Sequence, residues 1–487
     1  MIPLSLAEIS TAIKGLLLND NSDIVVTQLN TDSRAISRGE LFLALKGPNF
    51  DGHRFVEQVA EKGAVAVIVD HQQNIALPQI IVRDTHIALG KLAAFNKARV
   101  APKTVGITGS SGKTTVKEMT AAILSRLGKV LATQGNFNND IGVPLTLLRL
   151  EQQHDFAVIE MGANHIGEIA YTTHLVKPDV AVINNIAAAH LEGFGDLCGV
   201  ARAKGEIFES LTDNGVALYN QDSKYANKWQ WRLIDKQVRR FSCMPSSENK
   251  SDCYSCDVVL DDNGCASFKL NTYQGNTYIE LTVPGRHNVC NAVAAAAIAL
   301  EFGASLDDIR LGLLLMAPVK GRLNLYQLNE QCRLIDDTYN ANVESVKAAI
   351  DLLATYPGRQ ILILGDMGEL GADARRYHQE VGEYAASKNL TDVLTLGVLS
   401  QSSTDAFVTA QQQRNEMPLV NGQHFSSRSQ LITHLQSKLV NEAQQISILV
   451  KGSRSAHMEY VVEAIQLAYQ TTAQRSQQQD LGDQQSC

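Results

Sequence analysis

The chain has 487 residues, of which 45% are hydrophobic and 19% are charged, and its formal net charge is −8. Proteins that bind nucleic acid usually carry a basic surface, so this acidic balance disfavours a nucleic-acid partner. No apolar run reaches the roughly 18 residues that a membrane span needs, and residues 1–10 lack the features of a signal peptide. We therefore expect a globular, cytoplasmic protein of about two to four domains that is monomeric and not inserted in a membrane.

Residues 1–84 predict a small α/β domain, because short apolar runs at residues 41–45 and 64–69 are separated by glycines. Residues 85–317 predict a central domain. Its strand candidates alternate with helical patterns, which indicates a parallel sheet. They lie at residues 104–108, 130–133, 156–161, 179–184 and 216–220. Closely spaced strands at 257–260, 266–270 and 278–283 predict an antiparallel patch on that sheet, followed by an alanine-rich helix over 292–300.

Residues 318–470 predict a third, Rossmann-like domain, with strands at 333–336, 360–364, 392–396 and 447–450. The glutamine-rich segment 471–487 has too few apolar residues to fold and is expected to be a disordered tail. The predicted fold class is therefore α/β, with three domains.

Eight cysteines are scattered along the chain. Cys253 and Cys256 form a C-x-x-C pair, but no second pair follows at the spacing of a zinc site. We therefore expect reduced cysteines and no metal at this pair.

A glycine-rich turn over residues 106–115, GITGSSGKTT, follows a strand and precedes a helix, which is the setting of a phosphate loop. Ile107 stands where the general pattern has glycine, so the loop is a variant. Its backbone N–H groups and the helix N-terminus would hold phosphate oxygens. The predicted ATP contacts are Gly109, Ser110, Ser111, Gly112, Lys113, Thr114 and Thr115. Apolar spacing extends the helix to Leu127, with Gly128 at its C-terminal cap.

Several segments occur in the order seen in the Mur ligases, and the chain resembles that family from about residue 30 to about residue 460. The segments are TGSSGKTT at 108–115, EMGA at 160–163, NNIAAAHLEGF at 184–194, AKGEIF at 203–208 and GRHNVCNA at 285–292. The resemblance implies an enzyme that uses ATP to join a carboxylate to an amine through an acyl phosphate.

The two ends of the chain narrow this resemblance. They carry TDSR at 31–34, ALKGPNFDGH at 44–53, DDTYNAN at 336–342, GDMGELG at 365–371 and KGSRS at 451–455. This set is similar to the family member that adds D-alanyl-D-alanine to UDP-N-acetylmuramoyl-tripeptide. Val343 departs from that pattern, which has proline there. The Asp-Asn-Pro-Arg motif of the diaminopimelate-adding member is absent.

The resemblance implies roles for residues in all three domains. Mg²⁺ would be held by Thr114, Glu160, His190 and Lys204, with Lys204 carbamylated. Lys113, Glu160, His190 and Lys204 would form the catalytic set. His287 and Asn291 would contact ATP on the adenine side, and Arg322 and Asp337 would close onto it. The uridine nucleotide would be bound by Ser33, Arg34, Lys46, Asp51 and His53, and the dipeptide by Tyr339, Asn340 and Asn342.

Other interpretations stay open from the sequence. A capping glutamate, a structural histidine or a surface lysine would give the same residue types at positions 160, 190 and 204. The protein could be another Mur ligase, a folylpolyglutamate synthase or a non-catalytic ATP-binding protein. Neither the third residue of the tripeptide, diaminopimelate or lysine, nor the base that deprotonates the amine can be read from the sequence.

Overall fold

The computed structural model describes residues 1–19, 21–243, 251–413, 421–439 and 444–484, and it describes the side chains of these residues except 438–439 and 472–484. Three large sheets follow one another along the chain, which confirms the predicted α/β class with three domains. The domain boundaries themselves stay a prediction. Among the described helices, none is both long and apolar enough to cross a membrane.

The first domain has a five-stranded sheet in the order β2-β9-β8-β5-β4, which is parallel except for the pairing of β2 with β9. Its strands β5 and β8 are buried along their whole length, as expected for parallel strands covered on both faces. The elements are β1 (Leu4–Ser5), α1 (Leu6–Ile13), β2 (Leu16–Leu18), β3 (Val25–Val26), β4 (Leu29–Asn30), β5 (Leu41–Leu43), β6 (Lys46–Gly47), β7 (Phe50–Asp51), α2 (Val56–Glu61), β8 (Ala66–Val69) and β9 (Gln79–Ile81).

The central domain has a nine-stranded sheet in the order β11-β12-β10-β13-β14-β15-β16-β17-β18. The strands run parallel as far as β16, and the last two pairings are antiparallel, which confirms the expected antiparallel patch. The elements are α3 (Thr85–Val100), β10 (Lys103–Thr108), α4 (Lys113–Leu124), β11 (Val130–Ala132), α5 (Gly142–Leu147), β12 (Phe156–Glu160), α6 (Glu168–Val176), β13 (Val180–Ile183), α7 (Leu191–Phe194), α8 (Leu197–Gly205), β14 (Val216–Asn220), β15 (Gln237–Ser242), β16 (Cys253–Leu260), β17 (Cys265–Thr272), β18 (Gly275–Pro284), α9 (His287–Glu301) and α10 (Leu306–Leu314).

The third domain has a six-stranded sheet in the order β19-β20-β24-β21-β22-β23, parallel except at β19. The elements are β19 (Asn324–Gln327), β20 (Cys332–Asp337), α11 (Val343–Leu353), β21 (Arg359–Gly365), α12 (Ala374–Ser387), β22 (Asp392–Leu396), α13 (Gln401–Gln413), β23 (Asn421–Phe425), α14 (Arg428–Leu439), β24 (Ile446–Lys451) and α15 (Glu459–Gln484). Val343 is the first residue of α11 after the capping Asn342. Proline is common at this position, so the departure from the family pattern affects only the start of a helix.

The last helix, α15, differs from the expected disordered tail. It continues to Gln484, and residues 485–487 lie outside the described part of the chain. Its first turns are anchored by buried Val461 and Ile465. Glutamine, alanine and arginine are good helix formers, so adding residues to an anchored helix is much easier than starting one.

The phosphate-loop helix is shorter than its apolar spacing predicts. α4 ends at Leu124, and Leu127 lies beyond it with 37% of its surface exposed. Gly128 lacks the positive φ of a glycine cap. A β-carbon there would instead lie 2.4 Å from an oxygen of Asp155. Close packing explains this glycine, and the predicted cap was wrong.

The cysteines differ in part from expectation. Cys243 and Cys290, whose α-carbons are 5.1 Å apart, form a disulfide between the end of β15 and the first turn of α9. This pairing was not predicted from the sequence, because the two cysteines are 47 residues apart and no local spacing indicates it. Cys253 and Cys256 lie three residues apart on β16, so their side chains point to opposite faces and cannot share a metal ion.

Gly382 is required where α12 packs against α13, because a β-carbon there would lie 2.0 Å from the carbonyl oxygen of Ser403. We expect Gly382→Ala to lower the free energy of unfolding by about 1–3 kcal/mol, since the two helices would have to separate. The neighbouring exposed Glu383 provides a control, because Glu383→Ala should change the free energy of unfolding by no more than about 0.5 kcal/mol. Urea unfolding of the two variants measures the difference, and equal stabilities would contradict the packing argument.

Candidate active site

Three adjacent parallel strands of the central sheet end at one edge and place the candidate residues there. β10 lies between β12 and β13. The phosphate loop follows β10, Glu160 ends β12, and the segment that leads to His190 follows β13. Ligands of open parallel sheets bind at the carboxyl ends of strands, at the point where the strand order reverses. The central sheet reverses its order at β10.

The phosphate loop is held from outside by the segment after β13. The backbone N–H groups of Ser110 and Ser111 donate to the carbonyl and the side-chain oxygen of Asn185, at 3.1 and 2.8 Å. Gly112 precedes α4 with φ of 73°. A β-carbon at Gly112 would lie 2.4 Å from Asn291 and 2.6 Å from Asn184. Both the backbone conformation and the space therefore require glycine at this position.

Thr114 and Glu160 form a pair of oxygen donors suited to Mg²⁺. The Thr114 hydroxyl donates to one Glu160 carboxylate oxygen at 3.0 Å, and the amide of Asn138 donates to the other at 2.7 Å. Glu160 is only 2% exposed. Hydroxyl and carboxylate oxygens are typical ligands of this hard cation, and Asn138 would fix the orientation of the carboxylate. The pair fits the metal that the resemblance implies.

Lys204 lies on α8 with 1% of its surface exposed, and its Nζ is buried without a hydrogen-bond partner. Burial lowers the pKa of this amine well below its ordinary value, and the charge of Lys113 lowers it further. Lys113 belongs to the phosphate loop, and its Nζ donates to the carbonyl of Gly109 at 2.8 Å. The pKa of Lys113 is lowered, chiefly by burial. A neutral buried amine is the form of lysine that reacts with carbon dioxide to give a carbamate.

His190 faces the third domain. It adopts a left-handed backbone conformation, with φ of 55°, just before α7. Its Nδ1 lies 2.6 Å from a carboxylate oxygen of Glu369, although the two groups lack the alignment of a hydrogen bond. This contact with His190 holds the pKa of Glu369 below its usual range. The candidate metal ligand of one domain is therefore joined to a carboxylate of another.

Two further contacts join the third domain to the phosphate loop. The Arg322 guanidinium donates to the hydroxyl of Thr114 at 3.2 Å and stacks over the ring of Tyr339, 4.2 Å from its centroid. The Asn342 amide donates to the carbonyl of Ser110 at 3.3 Å. The structure thus brings Arg322, Tyr339 and Asn342 together at the loop. Asn340, in the same segment, is exposed.

Asp337 is engaged within the third domain. Its carboxylate lies 2.5 Å from Nζ of Lys451, and the same Nζ donates to the carbonyl of Asn340 at 3.0 Å. Asp337 is 7% exposed and Lys451 is 1% exposed. This buried pair fixes the loop after β20, on which Tyr339 and Asn340 lie. The structure gives no contact between Asp337 and the phosphate loop.

The residues at the start of α9 occupy different environments. Asn291 is buried beneath the phosphate loop, where it accepts from Asn184 at 3.0 Å and donates to Asn288 at 2.8 Å. His287 is exposed at the first turn. Only His287 is free to face solvent. The adenine-side roles of both residues stay a prediction.

The residues of the first domain that were predicted to bind the uridine nucleotide are of two kinds. Some are exposed, and others are hydrogen-bonded within the domain. Arg34 and Lys46 are exposed, and Arg34 pairs with Asp32 at 2.8 Å. Ser33 is buried, and its carbonyl accepts from Lys62 at 2.9 Å. Asp51 accepts from the backbone N–H and the ring of His53, at 3.0 and 2.7 Å. Asp51 and the buried His53 therefore shape the loop, whereas the two cations can reach a ligand.

Sequence reasoning assigned no role to several residues of the site. Asn138, Asn184 and Asn185 follow strands β11 and β13 and support the loop and Glu160. Glu369 and Lys451 lie in the motifs GDMGELG and KGSRS, but the sequence predicted no role for either residue. Glu369 lies in the loop after β21, and Lys451 ends β24. These positions are the signal that could have identified them, since strand ends carry the site.

The sequence matches three family models along the chain: Mur ligase family, catalytic domain, over residues 25–122; Mur ligase middle domain, over 107–299; and Mur ligase, glutamate ligase domain, over 321–454. A relative from Escherichia coli strain K12, named UDP-N-acetylmuramoyl-tripeptide–D-alanyl-D-alanine ligase, is 47% identical over 466 residues, which are 96% of this chain and 99% of the relative. The chain belongs to the Mur ligase family.

Solved structures agree with this membership. This Mur ligase superposes on MurF from Acinetobacter baumannii with a TM-score of 0.87 and 37% identity, over 95% of this chain and 99% of that one. It superposes on MurF from Thermotoga maritima in complex with ADP with a TM-score of 0.79 and 25% identity, over 91% and 98% of the two chains. The family predicted from the motifs is confirmed, and with it the prediction of a ligase.

Gly112→Ala should weaken ATP binding by at least about tenfold, because the added methyl group would push the loop away from Asn291 and Asn184. Gly39→Ala is the matched control. Gly39 has a φ of 90° but open space around its α-carbon, so it carries the backbone strain without the collision. Titration calorimetry with ATP compares the variants with the parent enzyme. Normal affinity in Gly112→Ala would contradict the proposed geometry of the loop.

Lys204→Met should abolish activity but raise the free energy of unfolding by about 1–3 kcal/mol, because it removes a buried amine without a partner. At pH values between the lowered pKa of Lys204 and the ordinary value of 10.5, the unfolded chain binds more protons than the folded chain. The stability of the parent therefore falls as the pH falls through this window, and the advantage of the variant widens. Urea unfolding at pH 7 and pH 9 without carbon dioxide tests this. A variant less stable than the parent at both values would contradict it.

Proposed function

We propose that this Mur ligase adds D-alanyl-D-alanine to UDP-N-acetylmuramoyl-tripeptide, with ATP as the energy source, and forms the pentapeptide, ADP and phosphate. The observation that carries the proposal is the 47% identity with the Escherichia coli ligase of that name, which extends through all three domains. The terminal motifs that distinguish members of the family point to the same substrates. A non-catalytic ATP-binding protein would not need the matched first and third domains.

The reaction begins with a carboxylate, which is a poor electrophile. Transfer of the γ-phosphoryl group of ATP to the tripeptide carboxylate gives an acyl phosphate and ADP. The dipeptide ammonium group loses a proton, and the resulting amine attacks the acyl carbon. The carbon–oxygen bond to phosphate breaks, phosphate leaves, and the nitrogen releases a second proton to solvent as the amide forms. The enzyme must hold the reactants in line and stabilise charge on the transferring group.

The residues of the phosphate loop would bind the β- and γ-phosphates through backbone N–H groups and Lys113. Thr114 and Glu160 would hold Mg²⁺ beside them. His190 and carbamylated Lys204 would hold a second ion. When bound, Mg²⁺ neutralises charge on the phosphate oxygens.

Lys204 becomes suited to this role only after modification. Its neutral amine attacks carbon dioxide, a nitrogen–carbon bond forms, and one proton is released to solvent. The resulting carbamate is an anion with two oxygen donors. The burial of Nζ without a hydrogen bond and the lowered pKa of the amine support this proposal.

Arg322 and Asn342 would couple nucleotide binding to the position of the third domain, since both reach the phosphate loop across the domain boundary. In the first domain, Arg34 and Lys46 would contact the diphosphate of the uridine nucleotide. Ser33, Asp51 and His53 would shape that site. Tyr339 and Asn340 would line the dipeptide pocket. A cytoplasmic location fits the use of ATP and remains part of the proposal.

Phosphate release from ATP and Mg²⁺ tests the proposed function when it is measured with UDP-N-acetylmuramoyl-tripeptide, with and without D-alanyl-D-alanine. Sustained release only with both substrates, and a product heavier by the dipeptide residue, is the expected result. Glu160→Gln should reduce the rate at least about 100-fold by removing a metal ligand. Release stimulated by another amine or by a folate acceptor, with no response to these two substrates, would refute the assignment.

A further inference from the structure

Glu369 lies at the tip of the loop after β21, in the segment GDMGELG at residues 365–371. Its carboxylate crosses the domain boundary to lie 2.6 Å from Nδ1 of His190, and its side chain is 52% exposed. The negative charge of Glu369 also acts on Lys113. One carboxylate of the third domain thus faces the phosphate-binding centre of the central domain. Neither step of the proposed reaction uses Glu369.

The loop holds Glu369 in a fixed and unfavourable backbone conformation. Its φ of 61° is in the left-handed region, which a residue with a side chain adopts at an energetic cost. Met367 and Leu370 on either side are buried. The backbone N–H of Met367 donates to Nε2 of buried His378 at 3.0 Å. Such strain persists where the surrounding structure imposes it, and here it directs the carboxylate towards His190 of the central domain.

The other carboxylates that the motifs of this domain supply are already engaged. Asp336 accepts from the backbone N–H and the hydroxyl of Thr338, at 3.1 and 2.6 Å. Asp337 pairs with Lys451. Asp366 accepts from the backbone N–H groups of residues 398, 399 and 400, at 2.9, 3.0 and 2.8 Å. Glu369 is the member of this set that reaches the central domain.

The charge around the reaction centre limits what such a carboxylate can bind. Lys113 and Arg322 bring basic groups to the phosphate-binding side. A dipeptide carries an ammonium group near neutral pH, and this group must approach the acyl carbon at the same place. Basic groups repel an ammonium group, so an anion on the side of the third domain favours its approach.

We propose that Glu369 binds the α-ammonium group of the incoming dipeptide and so places its nitrogen against the acyl phosphate. The inference rests on the proposed function and identifies the group that selects an amine-bearing acceptor. In this arrangement the ammonium group replaces His190 as the partner of the carboxylate. His190 is then free to face the nucleotide side.

Binding of two ligands to two variants tests the assignment. D-Alanyl-D-alanine is compared with propionyl-D-alanine, which has the same shape without the amine. Titration calorimetry is done on the full-length enzyme saturated with UDP-N-acetylmuramoyl-tripeptide, Mg²⁺ and a non-hydrolysable ATP analogue. Glu369→Gln is the test variant. Glu192→Gln is the matched control, because exposed Glu192 lies across the same seam, with its backbone nitrogen 3.5 Å from a β-carbon built at Gly371.

Glu369→Gln should weaken dipeptide binding about 10- to 100-fold and leave propionyl-D-alanine binding within about twofold, since only the dipeptide makes the charge-assisted contact. Glu192→Gln should leave the affinity for both ligands unchanged. In steady-state assays the KM for the dipeptide should rise while the KM values for ATP and the tripeptide nucleotide stay constant.

Equal weakening of both ligands by Glu369→Gln would overturn the assignment, because it would show an effect on loop structure or on the metal site. Unchanged binding of both ligands would also overturn it. If the parent enzyme itself fails to bind or use the dipeptide, the proposed function fails as well. Dipeptide turnover in the parent with no effect of the variant refutes only the role of Glu369.

Discussion

The hydroxyl of Thr114 is the point on which the site depends. It donates to the buried carboxylate of Glu160 and accepts from Arg322 of the third domain. A buried carboxylate is costly unless its oxygens are hydrogen-bonded, and Thr114 and Asn138 supply those bonds. The contact is possible only because β10 and β12 are neighbours in register, so that their ends lie side by side. Strand order, phosphate loop, metal donors and domain closure therefore converge on one side chain.

This arrangement places strain and unpaired groups where the chemistry occurs. Lys204 Nζ is buried without a hydrogen-bond partner, and His190 and Glu369 both adopt left-handed backbone conformations. The buried amine and the two left-handed conformations each lower the stability of the fold. Each of these residues also presents a group that a ligand, a metal ion or a modification can bind. Their concentration along one seam between two domains indicates a site whose stability is restored by binding.

The sequence predicted the parts of the molecule that local patterns determine. Aliphatic runs located the buried strands of the central and third sheets, and GSSGKT located the phosphate loop. In these two sheets, strands β15, β19 and β23 were missed, because QVRRFS, NLYQ and NGQHF carry too few apolar residues to resemble a strand. Their identity comes from pairing with β14, β20 and β22. The family resemblance supplied most site residues, but which of them touch was beyond the sequence.

Contacts between segments that are distant in sequence account for the remaining differences between the predictions and the structure. The pairing of Asp337 with Lys451 spans 114 residues, and the disulfide between Cys243 and Cys290 spans 47. No local spacing encodes either contact. Glu369 lies in the motif GDMGELG, yet only the structure shows that it contacts His190. Residues that act across a domain boundary are those that a reading along the chain is least able to assign.

If the reaction proceeds through an acyl phosphate, a carboxylate oxygen of the substrate ends in the phosphate that leaves. UDP-N-acetylmuramoyl-tripeptide labelled with ¹⁸O in its terminal carboxylate, combined with ATP, Mg²⁺ and D-alanyl-D-alanine, tests this directly by mass spectrometry of the released phosphate. We expect one ¹⁸O atom in each phosphate from fully labelled substrate, because the acyl carbon–oxygen bond breaks as the amide forms. Unlabelled phosphate accompanied by amide product would contradict the acyl-phosphate route and the arrangement of the site derived from it.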